Sequence, residues 1–283
     1  MSILSTSPAE IKSCCAAAYE SDWARRLLGD SFHPGGVALT ERIGTLLALT
    51  PADRVIDVAA GTGTSAIALA RRFGCRVVGV DLGAESVAAA RQAAADAGVA
   101  DLVTFEVGDA ERLPFGDGAF DVALCECAFC TFPDKATASA ELARVLRPGG
   151  RIGLSDLTRQ GALPAELEGL LAWVACIADA RPVEEYVSFL EAAGFGTTDV
   201  EPHDAALAEM VASIRQKLLG AQVLAAIGKL NVPGVDWNQA SGMARAAAEA
   251  TTRGQLGYVA IVAKLPGTVG HVLPENSLLL PMS

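Results

Sequence analysis

Aromatic, basic and histidine residues are all scarce in this 283-residue chain. Phe, Trp and Tyr make up 5% of it, which predicts no extended surface for stacking nucleic-acid bases. Lys and Arg number 22 against 33 Asp and Glu, a formal net charge of −11, whereas binding to phosphates requires clustered basic side chains. We therefore expect no nucleic-acid partner and a small-molecule ligand.

Signals of secretion and of membrane insertion are also missing from the sequence. The first residues show no basic segment followed by an apolar core, and no uncharged apolar run approaches the roughly 20 residues that span a bilayer. The seven cysteines are an odd number, which does not favour a disulfide framework. We expect a cytoplasmic protein with no membrane partner and with mostly reduced thiols.

Short apolar segments alternate with longer Ala-rich segments through the middle of the chain, a pattern typical of a doubly wound, parallel α/β sheet. Strands are predicted at residues 54–58, 76–81, 102–107, 119–125, 151–155, 196–201 and 258–263, and helices at 37–49, 65–73, 134–146, 164–179, 183–193 and 205–229. Residues 147–150, Arg-Pro-Gly-Gly, are predicted to end the helix before the fifth strand. We predict a helical N-terminal cap over residues 1–50, one α/β domain over 51–265 and a disordered tail over 266–283.

The first predicted strand ends in a glycine-rich turn, residues 57–63, that opens a helix. Such a turn brings the backbone close to a ligand. Asp57 lies on the strand itself, and Asp81 ends the next strand, where a carboxylate can accept both hydroxyls of a ribose. Ala66 stands where dinucleotide sites have a third glycine, which favours a nucleoside with a cationic aminoacyl group over a pyrophosphate. Alternatively, Asp57 only caps the turn and the glycines serve packing.

Two further segments agree with this interpretation: Val-Gly-Asp-Ala-Glu-Arg-Leu-Pro at residues 107–114, and Leu-Arg-Pro-Gly-Gly at 146–150. In this order, residues 55–156 resemble the class I methyltransferases that depend on S-adenosylmethionine (SAM). The resemblance implies SAM as cofactor and a Rossmann-like, mostly parallel seven-stranded sheet whose reversed last strand residues 258–263 can supply. It implies a cofactor site that contains Asp57, Ala59, Gly61, Gly63, Asp81, Leu82, Asp109, Ala110 and Cys125.

The cysteines are placed where a substrate would meet this cofactor. Cys127 follows the fourth strand, and Cys176 lies on the helix predicted after the fifth, so both stand above the sheet edge that faces ligands in parallel sheets. Cys14 and Cys15 belong to the predicted cap. Converging thiolates favour a soft, thiophilic centre such as trivalent arsenic, whereas the paired Cys-x-x-Cys segments typical of zinc sites are missing.

At these residues the chain is similar to the arsenite methyltransferases. Cys127 followed by Pro-Asp-Lys at residues 133–135 matches their segment after the fourth strand, Cys176 matches a second metalloid-binding cysteine, and Cys14 or Cys15 supplies an N-terminal one. A fourth has no counterpart near Asp30. The resemblance implies arsenic detoxification, with arsenite or methylarsenite held by Cys127, Cys176 and Cys14 or Cys15. It also implies a thiol reductant, thioredoxin or glutathione, as a partner.

Other interpretations stay open. Free cysteines often pack as small hydrophobic residues, and Cys75 and Cys125 are the clearest candidates for that role. The acceptor can instead be a small organic molecule similar to a quinone or a sterol. A non-catalytic SAM-binding protein or a thiol-based metalloid sensor is a further alternative. His33, beside Pro34, is expected on a surface loop, so we expect no general base.

Overall fold

A computed structural model describes residues 7–20, 32–167, 176–227, 229–230 and 236–267 of the chain. The predicted tail lies outside the described residues except for 266 and 267, as do residues 168–175 of the predicted helix 164–179. Within the described part, no helix combines the length and the apolar character needed to cross a bilayer.

Seven strands form one sheet in the order β3-β2-β1-β4-β5-β7-β6, and only β7 runs against its neighbours. This confirms the predicted fold class, including the reversed last strand. The strands are β1 Arg54–Val58, β2 Arg76–Asp81, β3 Val103–Val107, β4 Phe120–Glu126, β5 Leu146–Arg159, β6 Gly196–Pro202 and β7 Leu256–Lys264.

Helices cover both faces of the sheet. The α-helices are α1 Pro8–Glu20, α2 Gly36–Leu46, α3 Thr64–Phe73, α4 Ala84–Asp96, α5 Lys135–Val145, α6 Val183–Ala192, α7 Asp204–Ala226 and α8 Trp237–Thr252, with short 3₁₀ turns at Phe129–Thr131 and Ala165–Leu167. Successive residues of β1 point to opposite faces, so Val55 packs into one apolar cluster and Ile56 into the other. The central strands are therefore apolar on both faces, as buried parallel strands require.

Three elements differ from the sequence prediction. Residues 147–150 belong to the beginning of β5, and β5 extends to Arg159 because β7 pairs with its residues 151–159. Helix α8 was not predicted, although Asp236 caps it by accepting hydrogen bonds from the N–H groups of Asn238 and Gln239 at 2.9 and 3.0 Å. Cys176 lies in a turn with a φ of 61° and not in a helix.

Candidate functional site

A cleft of about 880 Å³, open to solvent, lies over the carboxyl ends of β1, β2 and β4. Its position follows from topology, because loops that leave parallel strands at this edge separate at the centre of the sheet. Predicted cofactor residues that line the cleft are Ala59, Gly61, Asp81, Leu82, Asp109 and Ala110. The described part of the chain thus brings six of the nine predicted residues to one surface.

Asp81 holds the glycine-rich turn in place. Its two carboxylate oxygens accept hydrogen bonds from the N–H groups of Gly61 and Gly83, each at 2.8 Å. Burial raises the pKa of Asp81, and these N–H groups act in the opposite direction. Gly63 lies behind the turn with a φ of 83°, and a Cβ there would stand 2.5 Å from the Phe105 ring. The turn therefore requires glycine, whether or not Gly63 contacts a ligand.

Asp57 has an unsatisfied oxygen beside the cleft. The residue is 2% exposed and borders a smaller recess that also contains His33, Ser65 and Glu126. Its Oδ2 atom has no hydrogen-bond partner among the described residues. Burial, together with the nearby Glu126 and Asp81, raises the pKa of Asp57. A buried, unpaired carboxylate oxygen is costly, so the recess suits a ligand that brings a cationic group, such as the ammonium of SAM.

Helix α1 closes one side of the cleft. Lys12 donates to both carboxylate oxygens of Asp109, at 3.0 and 2.8 Å, and to Glu111 at 2.5 Å. Burial alone would raise the pKa of Asp109, but Lys12 and the Glu111 N–H hold it below its usual value. At the other end of α1, Glu20 accepts a hydrogen bond from the Glu85 N–H at 3.0 Å. The helix is therefore attached at both ends.

Cys125 is placed differently from the other predicted cofactor residues. Its side chain is completely buried within the sheet and packs into an apolar cluster, and it does not line the cleft. That position agrees with the alternative interpretation of Cys125 as a small core residue. Asp57 borders the recess and Gly63 lies behind the turn. Contact of any of the nine predicted residues with a cofactor stays a prediction.

Four thiols gather beside the cleft, from Cys15, Cys127, Cys130 and Cys176; we call them the thiol cluster. Cys176 Sγ donates to the Cys127 carbonyl oxygen at 3.1 Å, and the Tyr19 hydroxyl lies 3.4 Å from the same sulfur. Cys127 follows β4 with a φ of 51° and donates its N–H to the Ser155 carbonyl at 2.7 Å. Left-handed backbone at a non-glycine residue is strained and is common at functional sites.

The thiols differ strongly in acidity. Hydrogen bonds from Cys127 and Cys130 lower the pKa of Cys176 well below its usual value, against the effect of burial, and Tyr19 and the Lys135 charge add to the effect. Cys127 and Cys130, which donate, have raised pKa values. Burial, with Cys176 and Cys14 nearby, raises the pKa of Cys15 to about 12. Cys176 is thus the most acidic thiol of the cluster.

The structure separates the two adjacent N-terminal cysteines. Cys15 is buried and lines the cleft, whereas Cys14 is exposed to solvent. The sequence left these two residues equivalent. Only Cys15 is placed to take part in the thiol cluster, although its role there stays a prediction.

Sequence reasoning missed Cys130. It is 1% exposed, and its N–H donates to Asp156 Oδ2 at 2.8 Å while its carbonyl oxygen accepts from Lys135 at 2.9 Å. The Cys-x-x-Cys spacing of Cys127 and Cys130 is the signal that could have found it. In the described part of the chain, no three His, Cys, Asp or Glu side chains are arranged to hold a metal ion. The expected convergence of three thiols on one atom is therefore not preformed.

The expectation for His33 was wrong. It is 8% exposed, and its Nε2 atom lies 3.6 Å from Glu126 Oε2. The same carboxylate oxygen accepts hydrogen bonds from Thr40 at 2.8 Å and Ser65 at 2.7 Å. His33 is buried because α2, which begins three residues later, packs against α3. This packing places the imidazole of His33 in the recess.

Residues 56–154 match the model of a methyltransferase domain family. Among curated relatives, methyltransferase GfsG of Streptomyces halstedii is 31% identical over 168 residues, which are 58% of this chain and 60% of that protein. The arsenite methyltransferase of Halobacterium salinarum is 28% identical over 201 residues, 68% of this chain and 51% of that protein. The 27-O-demethylrifamycin SV methyltransferase of Amycolatopsis mediterranei is 32% identical over 166 residues, which are 58% of this chain and 61% of that protein. The chain thus spans about half to three fifths of these relatives.

Solved structures share the fold. The [4+2]-cyclase SpnF superposes with a TM-score of 0.73 at 22% identity, covering 93% of this chain and 97% of that one. Geranyl diphosphate C-methyltransferase from Streptomyces coelicolor gives 0.72 at 19% identity, covering 91% and 99%. Identities this low establish the architecture alone. Taken with the matched family model, they show that residues 56–154 are similar to a methyltransferase domain and lie within an architecture that solved methyltransferases share.

Proposed function

We propose that the whole protein transfers a methyl group from SAM to trivalent arsenic, in arsenite or methylarsenite, while Cys127, Cys176 and Cys15 hold the arsenic as thiolates. The observation that carries this proposal is the thiol cluster beside the cleft, at the carboxyl end of β4. Trivalent arsenic is a soft centre and prefers sulfur ligands. Two thiols of the cluster, Cys15 and Cys127, line the cleft itself, and Cys130 and Cys176 lie buried behind them.

The cleft residues have distinct roles toward the methyl donor. We infer that Asp81 binds the ribose hydroxyls, that Asp57 faces the ammonium group, and that Asp109 and Ala110 contact the adenine. Bound SAM supplies an electrophilic methyl group on its sulfonium sulfur. The contribution of the chain is to hold donor and acceptor in line and to exclude water, for which α1 is suitably placed.

Binding of arsenic begins at the most acidic thiol. Cys176 attacks the arsenic centre as a thiolate, a sulfur–arsenic bond forms, and the hydroxide that leaves takes up a proton to become water. On arsenite, which has three hydroxyl groups to lose, Cys127 and Cys15 each repeat this exchange, and each thiol proton leaves in a water molecule. Methylarsenite has two such groups and therefore bonds to two of the three thiols. Arsenic keeps its lone pair, which accepts the methyl group, so no protein base is required. Methyl transfer has S-adenosylhomocysteine as its leaving group and formally oxidises arsenic from the trivalent to the pentavalent state. External thiols such as reduced thioredoxin or glutathione then reduce the arsenic, are themselves oxidised to a disulfide, and displace the product.

A product assay tests this proposal. We expect the protein, incubated with SAM and thiol, to yield methylated arsenicals from arsenite or methylarsenite, as separated by liquid chromatography and elemental mass spectrometry. Cys127→Ser should lower the rate at least about a hundredfold, because a neutral hydroxyl is a poor ligand for soft arsenic. Cys75→Ser, at a buried cysteine outside the cluster, is the matched control. Wild-type rates in Cys127→Ser would contradict the proposal.

An organic acceptor is the second candidate. Two observations favour it: the thiols are not preformed as a three-ligand site, and Tyr19, Phe32 and Phe132 give the cleft an apolar wall. The rifamycin-related relative also has an organic substrate in its name. If the protein keeps its full methyltransferase activity after the cluster thiols are replaced, that result would support this candidate. Tight binding of SAM or arsenite without any turnover would instead support a sensor.

A further inference from the structure

Lys135 is a buried lysine whose three amino protons are all used. It is the first residue of α5, and it is 5% exposed. Its Nζ atom donates to the carbonyl oxygens of Cys130 and Phe132, at 2.9 and 3.0 Å, and to Asp179 Oδ2 at 2.5 Å. Lysine is rarely buried unless it is paired, so this position must serve the structure around it.

The three acceptors belong to two separate chain segments. Cys130 and Phe132 lie in the turn that follows β4 and begins at Cys127, whereas Asp179 lies three residues beyond Cys176. The hydrogen bond from Cys176 Sγ to the Cys127 carbonyl joins the same two segments at the thiols. Lys135 therefore connects the cysteine-bearing turn to the second cysteine-bearing segment.

Asp179 is fixed in turn by a second cation. Its other oxygen accepts from Arg181 at 2.5 Å, and the Arg181 N–H donates to the buried Tyr186 hydroxyl at 3.2 Å. This chain of contacts anchors the Cys176 segment to α6. The positive charge of Lys135 also contributes to the low pKa of Cys176, after the hydrogen bonds from the other thiols.

We propose that Lys135 is the positioning residue that keeps Cys127 and Cys176 close enough to bind one thiophilic atom. It acts on the acceptor through these two thiols and does not contact it. The role of the two thiols as ligands of the methyl acceptor rests on the proposed function. The ability of Cys127 and Cys176 to bind one atom together can nevertheless be measured without methyl transfer.

Phenylarsine oxide is the probe, because its arsenic has two exchangeable positions and needs two neighbouring thiols. Binding is measured by calorimetry in a Cys14→Ser background, so that the adjacent Cys14 and Cys15 cannot form a competing pair. Cys127→Ser and Cys176→Ser identify the site. We expect Lys135→Met and Asp179→Asn to bind about tenfold more weakly, a change of about 1.4 kcal/mol. Lys264→Met, which removes an exposed lysine, should bind as the parent does.

A second readout separates positioning from general stability. The rate at which iodoacetamide alkylates Cys176, followed by mass spectrometry at neutral pH, should fall in Lys135→Met and be largely restored in Lys135→Arg, which keeps the charge. If Lys135→Met does not fold, Asp179→Asn decides. A folded Asp179→Asn protein with parent affinity for the probe overturns the inference. The expected loss in a protein that methylates no arsenical would support the inference and contradict the proposed acceptor.

Discussion

Asp156 is a completely buried carboxylate within β5, between the sheet core and the thiol cluster. Its oxygens accept hydrogen bonds from the N–H groups of Cys130 at 2.8 Å and Leu157 at 2.7 Å. Burial, followed by the nearby Cys176, raises the pKa of Asp156 to about 7. The carboxylate thus orients the turn that carries the thiols, at a cost in stability that depends on pH.

The sign of that dependence follows from the shift. Unfolded, Asp156 ionises near its ordinary pKa of 3.8. Between about pH 4 and pH 7 the folded state keeps a proton that the unfolded state has lost, so stability falls as pH rises, and above about pH 7 the cost is complete, up to about 4 kcal/mol. We expect the stability of Asp156→Asn relative to the parent to be greater at pH 8 than at pH 5, by up to about 2.7 kcal/mol, measured by urea unfolding at both. Asp101→Asn is the exposed control, and an equal effect at both pH values would contradict the assignment.

The sequence predicted site residues where strand ends determine position. Asp57 and Asp81 lie at the carboxyl ends of parallel strands and Asp109 lies just beyond one, and such ends meet at one edge of the sheet. It could not distinguish Cys14 from Cys15, because that choice depends on which face of α1 turns inward. The structure turns Lys12, Cys15, Ala16 and Tyr19 toward the cleft, a helical spacing of three, four and seven residues.

Helix α1 is the element on which access to the cleft depends. It contributes a thiol and a phenol to the site, and its polar contacts within the described part of the chain include Lys12 with Asp109 and Glu111 and Glu20 with the first turn of α4. Partly exposed ion pairs contribute little to global stability. An element held by such contacts can open without unfolding of the sheet beneath it.

Removal of the Lys12 side chain tests whether α1 opens independently of the sheet. We expect Lys12→Ala to raise the rate of Cys15 alkylation by iodoacetamide about fivefold to tenfold, because opening of α1 exposes a thiol that is otherwise shielded. The midpoint of urea unfolding should change by less than the equivalent of about 1 kcal/mol. Peptide mass spectrometry resolves the modified residue. Lys264→Ala is the control, and a parent rate at Cys15 in Lys12→Ala would show that α1 stays closed without this contact.

Elements differ in how far sequence alone predicts them. Strands β1 and β2 begin and end at the predicted residues, because a buried apolar run bounded by turn residues has only one stable placement. The length of β5 depends on β7, more than 100 residues later in the chain, and no local pattern contains that pairing. Helix α8 is Ala-rich, and it is buried through tertiary contacts with α7, which a local sequence pattern does not contain.

At the scale of the whole molecule, fold and activity are separate questions. The same architecture is shared by a [4+2]-cyclase and by methyltransferases, so the seven-stranded sheet alone does not identify a reaction. This chain combines a buried Asp57 carboxylate with one unpaired oxygen, an Asp81 carboxylate at the cleft that we propose binds the ribose, and a thiol cluster beside the cleft. In the proposed reaction, the two carboxylates bind the methyl donor and the thiol cluster binds the methyl acceptor.

The change in thermal stability on ligand binding tests the proposed donor site on the intact protein. A ligand that binds only the folded state at about a hundred times its dissociation constant adds about 2.7 kcal/mol, which shifts the Tm of a chain of this size by roughly 5–10 °C. We expect S-adenosylhomocysteine to produce such a shift and NAD to produce none, because Ala66 replaces the third glycine of a dinucleotide site. Differential scanning fluorimetry measures both. An equal shift with NAD would mean that the turn accepts a pyrophosphate, and the assignment of Asp57 to an ammonium group would then be wrong.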